Sequence, residues 1–459
     1  MDQHVGSKVP TLSTVAPQQD IAVGAQSTHG NMFPSLPPAY TMLLDGGITD
    51  DAHTDALAQN AYFDKLAELG KNFGPMREYV RDNEPAIGTP AGVIHMWQFL
   101  VHEITHSPTG KLLPVHRKYI PNFNTPSIDL DCLYFLNPQI VPSQYCAIDP
   151  FLNGGRGSNG QPCMFVFEPH RTKNNVLIDD FSRTYGRANI GDKRNDEFSG
   201  VGALQLLWMK FHNAMAEHFC RQGVVPDALF DMARNHTIWH WHRMIENELL
   251  PAVTDAPQSD APQFYDPEMG LPSIINVILR FGHSMIPRRV PTVGGGDIGI
   301  FDNGHFAAPD YAVDVRKLFG IDVIPQLARP LDPKLAHMLM RLPDKSSLAA
   351  RNLQREVEFG MPSYRAIVDA MVVAEFDGPD VVTTSKETEA VGLPEMPLWY
   401  GMLHNASDSK LDPYCGLLLR QTIEGLIDSS WLCDFEPDFT IEYFGFREWF
   451  ETASYGVIE

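Results

Sequence analysis

The segment GVIHMWQFLVHEITHSP, residues 92–108, is the stretch that decides the fold. Its apolar residues recur at intervals of three and four, which predicts a helix with a buried face. HEITH (102–106) matches the H-E-x-x-H signature of zinc proteases. Residues four apart share a helix face, so Gln98 and His102 are also expected side by side. The helix therefore carries a candidate site, and residues in other parts of the chain must decide which reaction this site supports.

A zinc centre needs a third protein ligand beyond the two histidines of the signature. Zinc proteases take this ligand from a later glutamate or from the longer signature H-E-x-x-H-x-x-G-x-x-H. No glutamate occurs between Glu103 and Glu168, and the longer signature would need glycine and histidine where Thr109 and Leu112 stand. The sequence therefore disfavours a zinc hydrolase.

Composition narrows the class of protein. The 459 residues include 57 acidic and 35 basic side chains, a formal charge of -22 that repels phosphate backbones and anionic lipids. We expect neither a nucleic acid nor a membrane as a partner. The six cysteines form no C-x-x-C pair, and the N-terminus lacks the pattern of a secretory signal, which predicts a cytoplasmic protein with reduced thiols. The clustering of Cys132, Cys146 and Cys163 leaves a disulfide among them open.

The remaining pattern predicts one mainly α-helical domain with long loops and little strand. Residues 1–29 lack periodicity and are predicted to form a flexible N-terminal extension, followed by a single domain over 30–459. Loops rich in Pro, Gly and Asn are expected at 107–175 and 288–312. Helical periodicity marks six segments: Ala56–Leu69, Val93–His106, Val201–Phe219, Asp227–Leu250, Ser273–Met285 and Pro362–Val373.

Polar residues in or beside these helices are the other candidates. Arg194 and Glu197 are three apart in IGDKRNDEFSG, so they share one face. His283 lies within the apolar stretch INVILRFGHSMIP, and Asn352 lies in ARNLQREVEFGMPSYR. An isolated buried histidine is either a satisfied core residue or a ligand to a flat apolar group.

The order of these segments resembles the animal-type haem peroxidases of the peroxidase-cyclooxygenase superfamily, especially its compact bacterial members. The resemblance spans nearly the whole chain. It is carried by GNMFPSLPPAY, WQFLVHEIT, NTPSIDLDCLY, LIDDFSRTYG, GDKRNDE, FHNAMAEHF, ARNHTIWHWHRMIENELLPAV, LRFGHSMIP, RNLQREVEFGMPSY and MPLWYGML.

The resemblance implies the roles of three residues on one side of a haem. His102 would move the proton of hydrogen peroxide from the iron-bound oxygen to the leaving oxygen. Arg194 would stabilise the negative charge that develops on the leaving oxygen. Gln98 would order water or a halide above the iron.

On the other side of the haem, the resemblance implies that His283 is the axial iron ligand. Its second ring nitrogen would donate to the side-chain oxygen of Asn352. Arg280 matches an arginine common in the peroxidases, where cyclooxygenases hold a radical-forming tyrosine. The resemblance therefore favours peroxidation over fatty-acid oxygenation.

Several positions depart from the mammalian pattern. Val101 stands where an aspartate would form one haem ester, whereas Glu197 is retained, so haem b is expected either without a covalent bond or with one ester through Glu197. Phe198 excludes a sulfonium link formed by methionine. The family motif RDHG reads VEFG at 357–360, which alters the expected contacts at the haem edge.

A calcium site is also implied by the resemblance. Glu103 takes the place of the family's aspartate, and the loop VLIDDFS offers the carbonyls of Val176 and Ile178 and the side chains of Asp180 and Ser182. Oxygen ligands of this kind suit Ca²⁺. The alternative is that Asp180 and Ser182 only stabilise the loop.

The expected function is that of a haem peroxidase with a role in the response to oxidative stress. It would reduce hydrogen peroxide, form an oxoferryl intermediate and oxidise a small organic reductant or a halide. A haem-dependent oxygenating enzyme for one metabolite and a non-catalytic haem-binding protein are the alternatives. The sequence leaves the reducing substrate and the oligomeric state open.

Overall fold

A computed structural model describes residues 32–39, 52–71, 87–105, 127–135, 137–151, 153–257, 261–300, 311–333, 335, 347–435, 437 and 443–456. Helices dominate these ranges. They are α1 Ala52–Lys71, α2 Ala91–Ile104, α3 Asp131–Tyr134, α4 Ser199–Gln222, α5 Leu229–Met244, α6 Leu250–Val253, α7 Ser273–Ile278, α8 Gly282–Met285, α9 Val315–Phe319, α10 Leu348–Glu358, α11 Tyr364–Val373, α12 Lys386–Ala390, α13 Leu398–His404, α14 Pro413–Asp428 and α15 Phe446–Tyr455.

The strands are short and pair only locally. The described residues form four two-stranded antiparallel ladders, with the order β1-β2, β3-β4, β5-β6 and β7-β8. Their bounds are β1 Tyr145–Cys146, β2 Met164–Phe165, β3 Phe167–Arg171, β4 Leu177–Phe181, β5 Arg183–Thr184, β6 Arg187–Ala188, β7 Arg289–Pro291 and β8 Asp297–Gly299. The mainly helical fold class is confirmed.

All six predicted helical segments contain helix, with differences at their ends and interiors. The helix predicted over Val93–His106 begins at Ala91 and ends at Ile104, because Thr105 turns to an extended backbone. The segment 227–250 contains α5 and a π-helical stretch, Ile245–Leu249, that leads into α6. Two predicted loops are more ordered than expected, since 107–175 contains α3 and β1 to β3, and 288–312 contains β7 and β8.

Helix α2 lies in the interior and contacts α4, α8 and α9. Its neighbour α4 approaches closely at Gly200, where an added Cβ would come within 3.0 Å of the His95 ring. On another side, the rings of Trp97 in α2 and Phe281 just before α8 meet edge to face, with centroids 5.4 Å apart. The helix of His102 and the helix of His283 are thus packed against each other.

The structure bears on the state of the cysteines and on contact with a membrane. All six cysteines are free thiols, so no disulfide joins Cys132, Cys146 or Cys163. Within the described ranges, no helix has the length and apolar character needed to cross a bilayer. The predicted extension over 1–29 lies outside the described residues.

Candidate active site

A short turn before α4 carries the catalytic arginine predicted from the sequence. Asp192 begins a 3-10 turn, Lys193–Asp196, by accepting a hydrogen bond from the backbone N–H of Arg194. The Asp192 carboxylate also accepts from Arg194 Nε at 3.0 and 3.1 Å and from Nη2 at 2.5 Å. Burial would raise the pKa of Asp192, but its bonds and ion pair with Arg194 lower it to about 2. Arg194 is therefore clamped by a carboxylate that stays ionised.

The same turn contacts the end of α2. Arg194 Nη2 donates to the backbone carbonyl of His102 at 2.6 Å. Asn195, the next residue, places its Oδ1 2.7 Å from His102 Nδ1. The structure thus brings His102 and Arg194 together, and Arg194 Nη1 has no hydrogen-bond partner among the described residues.

His102 lies in a strongly desolvated environment, with 8 % of its surface exposed. Its pKa is lowered to about 3, chiefly by burial and next by the positive charge of Arg194, while Asp192 and Asn195 oppose the shift. The ring is therefore neutral at physiological pH, the state that can accept a proton.

Gln98 lies one turn before His102 and is half-buried. Its side chain is next to His95. Burial lowers the pKa of His95 to about 4, although the hydrogen bond with Gln98 acts in the opposite direction. The structure places Gln98 on the helix of His102, as predicted from their spacing.

His283 is the second predicted histidine. Its Nδ1 lies 3.2 Å from the Oδ1 and 3.1 Å from the Nδ2 of Asn352. The ring is only half-buried, yet burial, followed by the charge of Arg280, lowers its pKa to about 3. The ring is thus surrounded by protein but borders open space, and its Nε2 has no hydrogen-bond partner among the described residues. A neutral imidazole held at one nitrogen and open at the other fits an axial haem ligand.

The positive charge of Arg280 affects both His102 and His283. Its Nε donates to the carbonyl of Asn276 at 3.2 Å. Burial lowers the pKa of Arg280 to about 9, and the charges of Arg355 and Arg194 act in the same direction. The charge of Arg280 also lowers the pKa of His102. Helix α2, which carries His102, contacts α8, which carries His283, so the two histidines belong to one packed pair of helices.

Glu197 and Phe198 follow the 3-10 turn that contains Arg194. The N–H of Glu197 donates to the carbonyl of Arg194 at 3.1 Å and ends the 3-10 turn. Phe198 precedes α4 in an extended conformation, and both side chains are half-buried.

The carboxylate of Glu103, in the HEITH segment, accepts hydrogen bonds from two other residues. Glu103 Oε1 accepts from the backbone N–H of Leu130, and Oε2 accepts from the indole N–H of Trp241 at 2.8 Å. Burial and the charge of Asp129 raise the pKa of Glu103 well above its usual range. His106 lies outside the described residues, and within them no group of three His, Cys, Asp or Glu side chains is placed to hold a metal ion.

The other residues predicted for calcium lie on or beside β4. The Val176 carbonyl accepts from Thr172, and Ile178 pairs with His170 across the ladder. Asp180 binds Arg183 at 2.7 and 3.0 Å. Ser182 Oγ accepts from Asn189 Nδ2 at 3.3 Å. These contacts place Glu103 and Asp180 against different neighbours, and the calcium site remains a prediction.

Sequence reasoning missed Asp192, Asn195 and Gln205. Asn195 Nδ2 donates to Gln205 Oε1 at 2.8 Å, and neither side chain has exposed surface. One signal was available for Gln205, because it interrupts the apolar stripe that Val201 and Trp208 form on α4. A polar residue on a buried face implies a buried partner.

A family model described as animal haem peroxidase matches residues 156–433. The chain belongs to the animal haem peroxidase family. This family binds haem, and an imidazole such as that of His283, contacted at Nδ1 by Asn352, is compatible with that property. No curated protein sequence matches the chain.

Solved structures extend the fold comparison for this animal haem peroxidase. Peroxidase A from Dictyostelium discoideum is 13% identical, with a TM-score of 0.61 over 95% of this chain and 94% of that chain. A fatty acid alpha-dioxygenase from Arabidopsis thaliana is 14% identical, with a TM-score of 0.53 over 87% and 74%. At these identities the likeness shows a shared fold, and the superfamily includes both peroxidases and dioxygenases.

Proposed function

We propose that this protein is a haem-dependent peroxidase that reduces hydrogen peroxide and oxidises a small organic substrate or a halide. The observation that carries the proposal is the joint placement of His102 and Arg194. Arg194 is clamped by Asp192 and bound to the His102 carbonyl, so the base and the cation are held in one unit.

The chain's own residues have separate tasks in this reaction. His102 takes a proton from hydrogen peroxide and returns it to the leaving oxygen, so that water departs. Arg194 directs its Nη1 toward the negative charge that develops on that oxygen. Gln98 orders water or a halide beside His102.

His283 would hold the haem iron, with Asn352 orienting its ring. When bound, haem supplies the redox chemistry: it takes the two oxidising equivalents of the peroxide and passes them to the reductant. Glu197 is the candidate for a single ester link to haem b. Glu103, Val176, Ile178, Asp180 and Ser182 remain candidates for Ca²⁺, and the cytoplasmic location and the role in oxidative stress remain predictions.

Arg280 favours peroxidation over oxygenation. The resemblance implies a radical-forming tyrosine at this position in cyclooxygenases, and a guanidinium cannot supply a hydroxyl hydrogen atom. The fold shared with fatty acid alpha-dioxygenases makes the oxygenase the second candidate.

A turnover assay separates the candidates. Haem-loaded protein should oxidise guaiacol when hydrogen peroxide is added, and it should consume no dissolved oxygen with palmitic acid alone. Oxygen uptake with the fatty acid and no guaiacol oxidation would favour the oxygenase. Neither activity, with haem still bound, would favour a haem-binding protein without turnover. A zinc hydrolase would be colourless and would contain zinc.

A further inference from the structure

A row of buried amides leads from α3 to the ring of His102. Gln205 Nε2 donates to the backbone carbonyl of Cys132 at 3.1 Å. Asn195 Nδ2 donates to Gln205 Oε1 at 2.8 Å, and Asn195 Oδ1 lies 2.7 Å from His102 Nδ1. Every member has less than a tenth of its surface exposed. We call this row the amide chain.

The amide chain has a direction, because its first member can only accept. A backbone carbonyl has no proton to give, so Gln205 must turn its NH₂ group toward Cys132. Its oxygen then faces Asn195, which must donate through Nδ2. The remaining oxygen of Asn195 consequently faces His102, and Nδ1 of that ring must carry the proton.

We propose that the amide chain fixes His102 in the tautomer protonated at Nδ1, so that the basic lone pair of the ring is on Nε2. Gln205 and Asn195 are then positioning residues for the peroxide reaction. This inference rests on the proposed peroxidase function and adds how the base is kept in its working form.

The opposite tautomer would break the row. Asn195 would have to present Nδ2 to His102, so its oxygen would face the oxygen of Gln205. Turning Gln205 as well would set its oxygen against the carbonyl of Cys132. Each arrangement leaves buried acceptors facing each other without a proton between them, which is unfavourable because neither acceptor is then satisfied.

The amide chain also ties together elements that are distant in sequence. Cys132 belongs to α3, Gln205 to α4 and Asn195 to the turn that carries Arg194. The same bonds that set the tautomer therefore also hold the catalytic turn against the end of α2.

The test replaces Gln205 and Asn195, the two middle members of the amide chain. Gln205→Met keeps the approximate volume and removes both hydrogen bonds, whereas Asn195→Asp keeps an acceptor for His102. The matched control is Asn213→Leu, because the side chain of this α4 amide bonds the backbone of Phe165, at 2.7 and 2.9 Å, and no other described residue.

Two measurements are made on haem-loaded protein. In the first, proton-detected NMR of the reduced carbon monoxide complex, labelled with ¹⁵N-histidine, locates the His102 proton, with His102→Gln identifying the signal. In the second, stopped-flow absorption gives the rate of reaction with hydrogen peroxide. A histidine-ligated haem spectrum and an unchanged circular dichroism spectrum show that each variant is folded.

The wild type and Asn195→Asp should be protonated at Nδ1, and Asn195→Asp should keep most of the rate. Gln205→Met should lose the single Nδ1–H signal and react on the order of 100-fold more slowly. Asn213→Leu should match the wild type. An Nε2–H signal in the wild type, or a wild-type rate in folded Gln205→Met, would overturn the inference. Wild-type protein that binds haem but does not react with peroxide would instead overturn the proposed function, and the NMR measurement would still decide the tautomer.

Discussion

The surroundings of His102 and His283 differ in how many bonds hold each ring in place. Around His102, Arg194 reaches the backbone carbonyl, Asn195 reaches the ring, and Asp192 and Gln205 hold those two residues in turn. Around His283, Asn352 is the one hydrogen-bond partner of the ring among the described residues. We call these the base side and the ligand side.

This difference follows from the tasks proposed for the two rings. A base must present one defined nitrogen and must have a cation at a fixed place beside it, which requires several hydrogen bonds. An axial ligand is oriented by the metal bond itself, so one partner at the opposite nitrogen is sufficient. Changes on the base side should therefore affect reaction rates, and changes on the ligand side should affect haem binding.

The largest effect is expected for His283→Ala. Without its imidazole, the ligand side has no donor for the iron, and the histidine-ligated haem spectrum should be lost completely. Haem titration followed by absorption spectroscopy measures this. His236→Phe is the control, because His236 is a fully buried histidine whose two ring nitrogens have no hydrogen-bond partner in the part of the chain that the structure describes. A normal haem spectrum in His283→Ala would contradict the assignment.

Arg194→Met should slow the reaction with peroxide by roughly 100- to 1,000-fold while haem binding stays intact, because only the stabilising cation is lost. Stopped-flow absorption at several peroxide concentrations gives the rate constant. Lys193→Met changes an exposed cation in the same turn and should react normally. If both variants lose the same fraction of the rate, overall charge rather than the placement of Arg194 would be the cause.

Asn352→Leu should weaken haem binding by roughly 10- to 100-fold and have less effect on the peroxide rate at saturating haem. The loss arises because Nδ1 of His283 no longer has a partner to orient it. Asn352→Asp supplies an acceptor and should bind haem at least as tightly as the wild type. Equal weakening in both variants would mean that Asn352 acts through packing.

His236→Phe is expected to leave haem binding and the peroxide rate unchanged and to alter only acid stability. Burial, followed by the charges of His240 and His218, lowers the pKa of His236 to about 3. The unfolded chain binds a proton below about pH 6.5, whereas the folded chain does not, so this contribution is present above pH 6.5 and is lost as the pH falls toward 3.

The free energy of unfolding of His236→Phe minus that of the wild type should therefore be larger at pH 5 than at pH 8, by on the order of 2 kcal/mol. Urea unfolding at both pH values measures this. An identical difference at the two pH values would show that His236 is charged in the folded protein.

The sequence predicts the helical class and the position of α2, because apolar periodicity is strong in long buried helices. It does not reveal the four ladders, since strands such as Tyr145–Cys146 are too short to show alternation. Helix α14 was also missed. It is mostly buried and contains Gly416 and Gly425, which weaken both the amphipathic pattern and the helix propensity.

The candidate site was predictable only where a residue's type and spacing suggested its role. His102, Arg194 and His283 stand out because of their chemistry and their surroundings in sequence. Asn195 does not, because its contact with His102 depends on the fold of the 3-10 turn that separates Asp192 from Glu197. Long-range hydrogen bonds between amides leave no periodic trace in a sequence.

The central claim is that His102 and His283 act on opposite sides of one haem, the first as base and the second as ligand. The most direct test is the absorption spectrum of haem-loaded protein before and after one equivalent of hydrogen peroxide. The wild type should change its spectrum within the mixing time, whereas His102→Ala should keep a histidine-ligated spectrum and respond far more slowly. A His102→Ala variant that loses its haem, or that reacts as fast as the wild type, would contradict the claim.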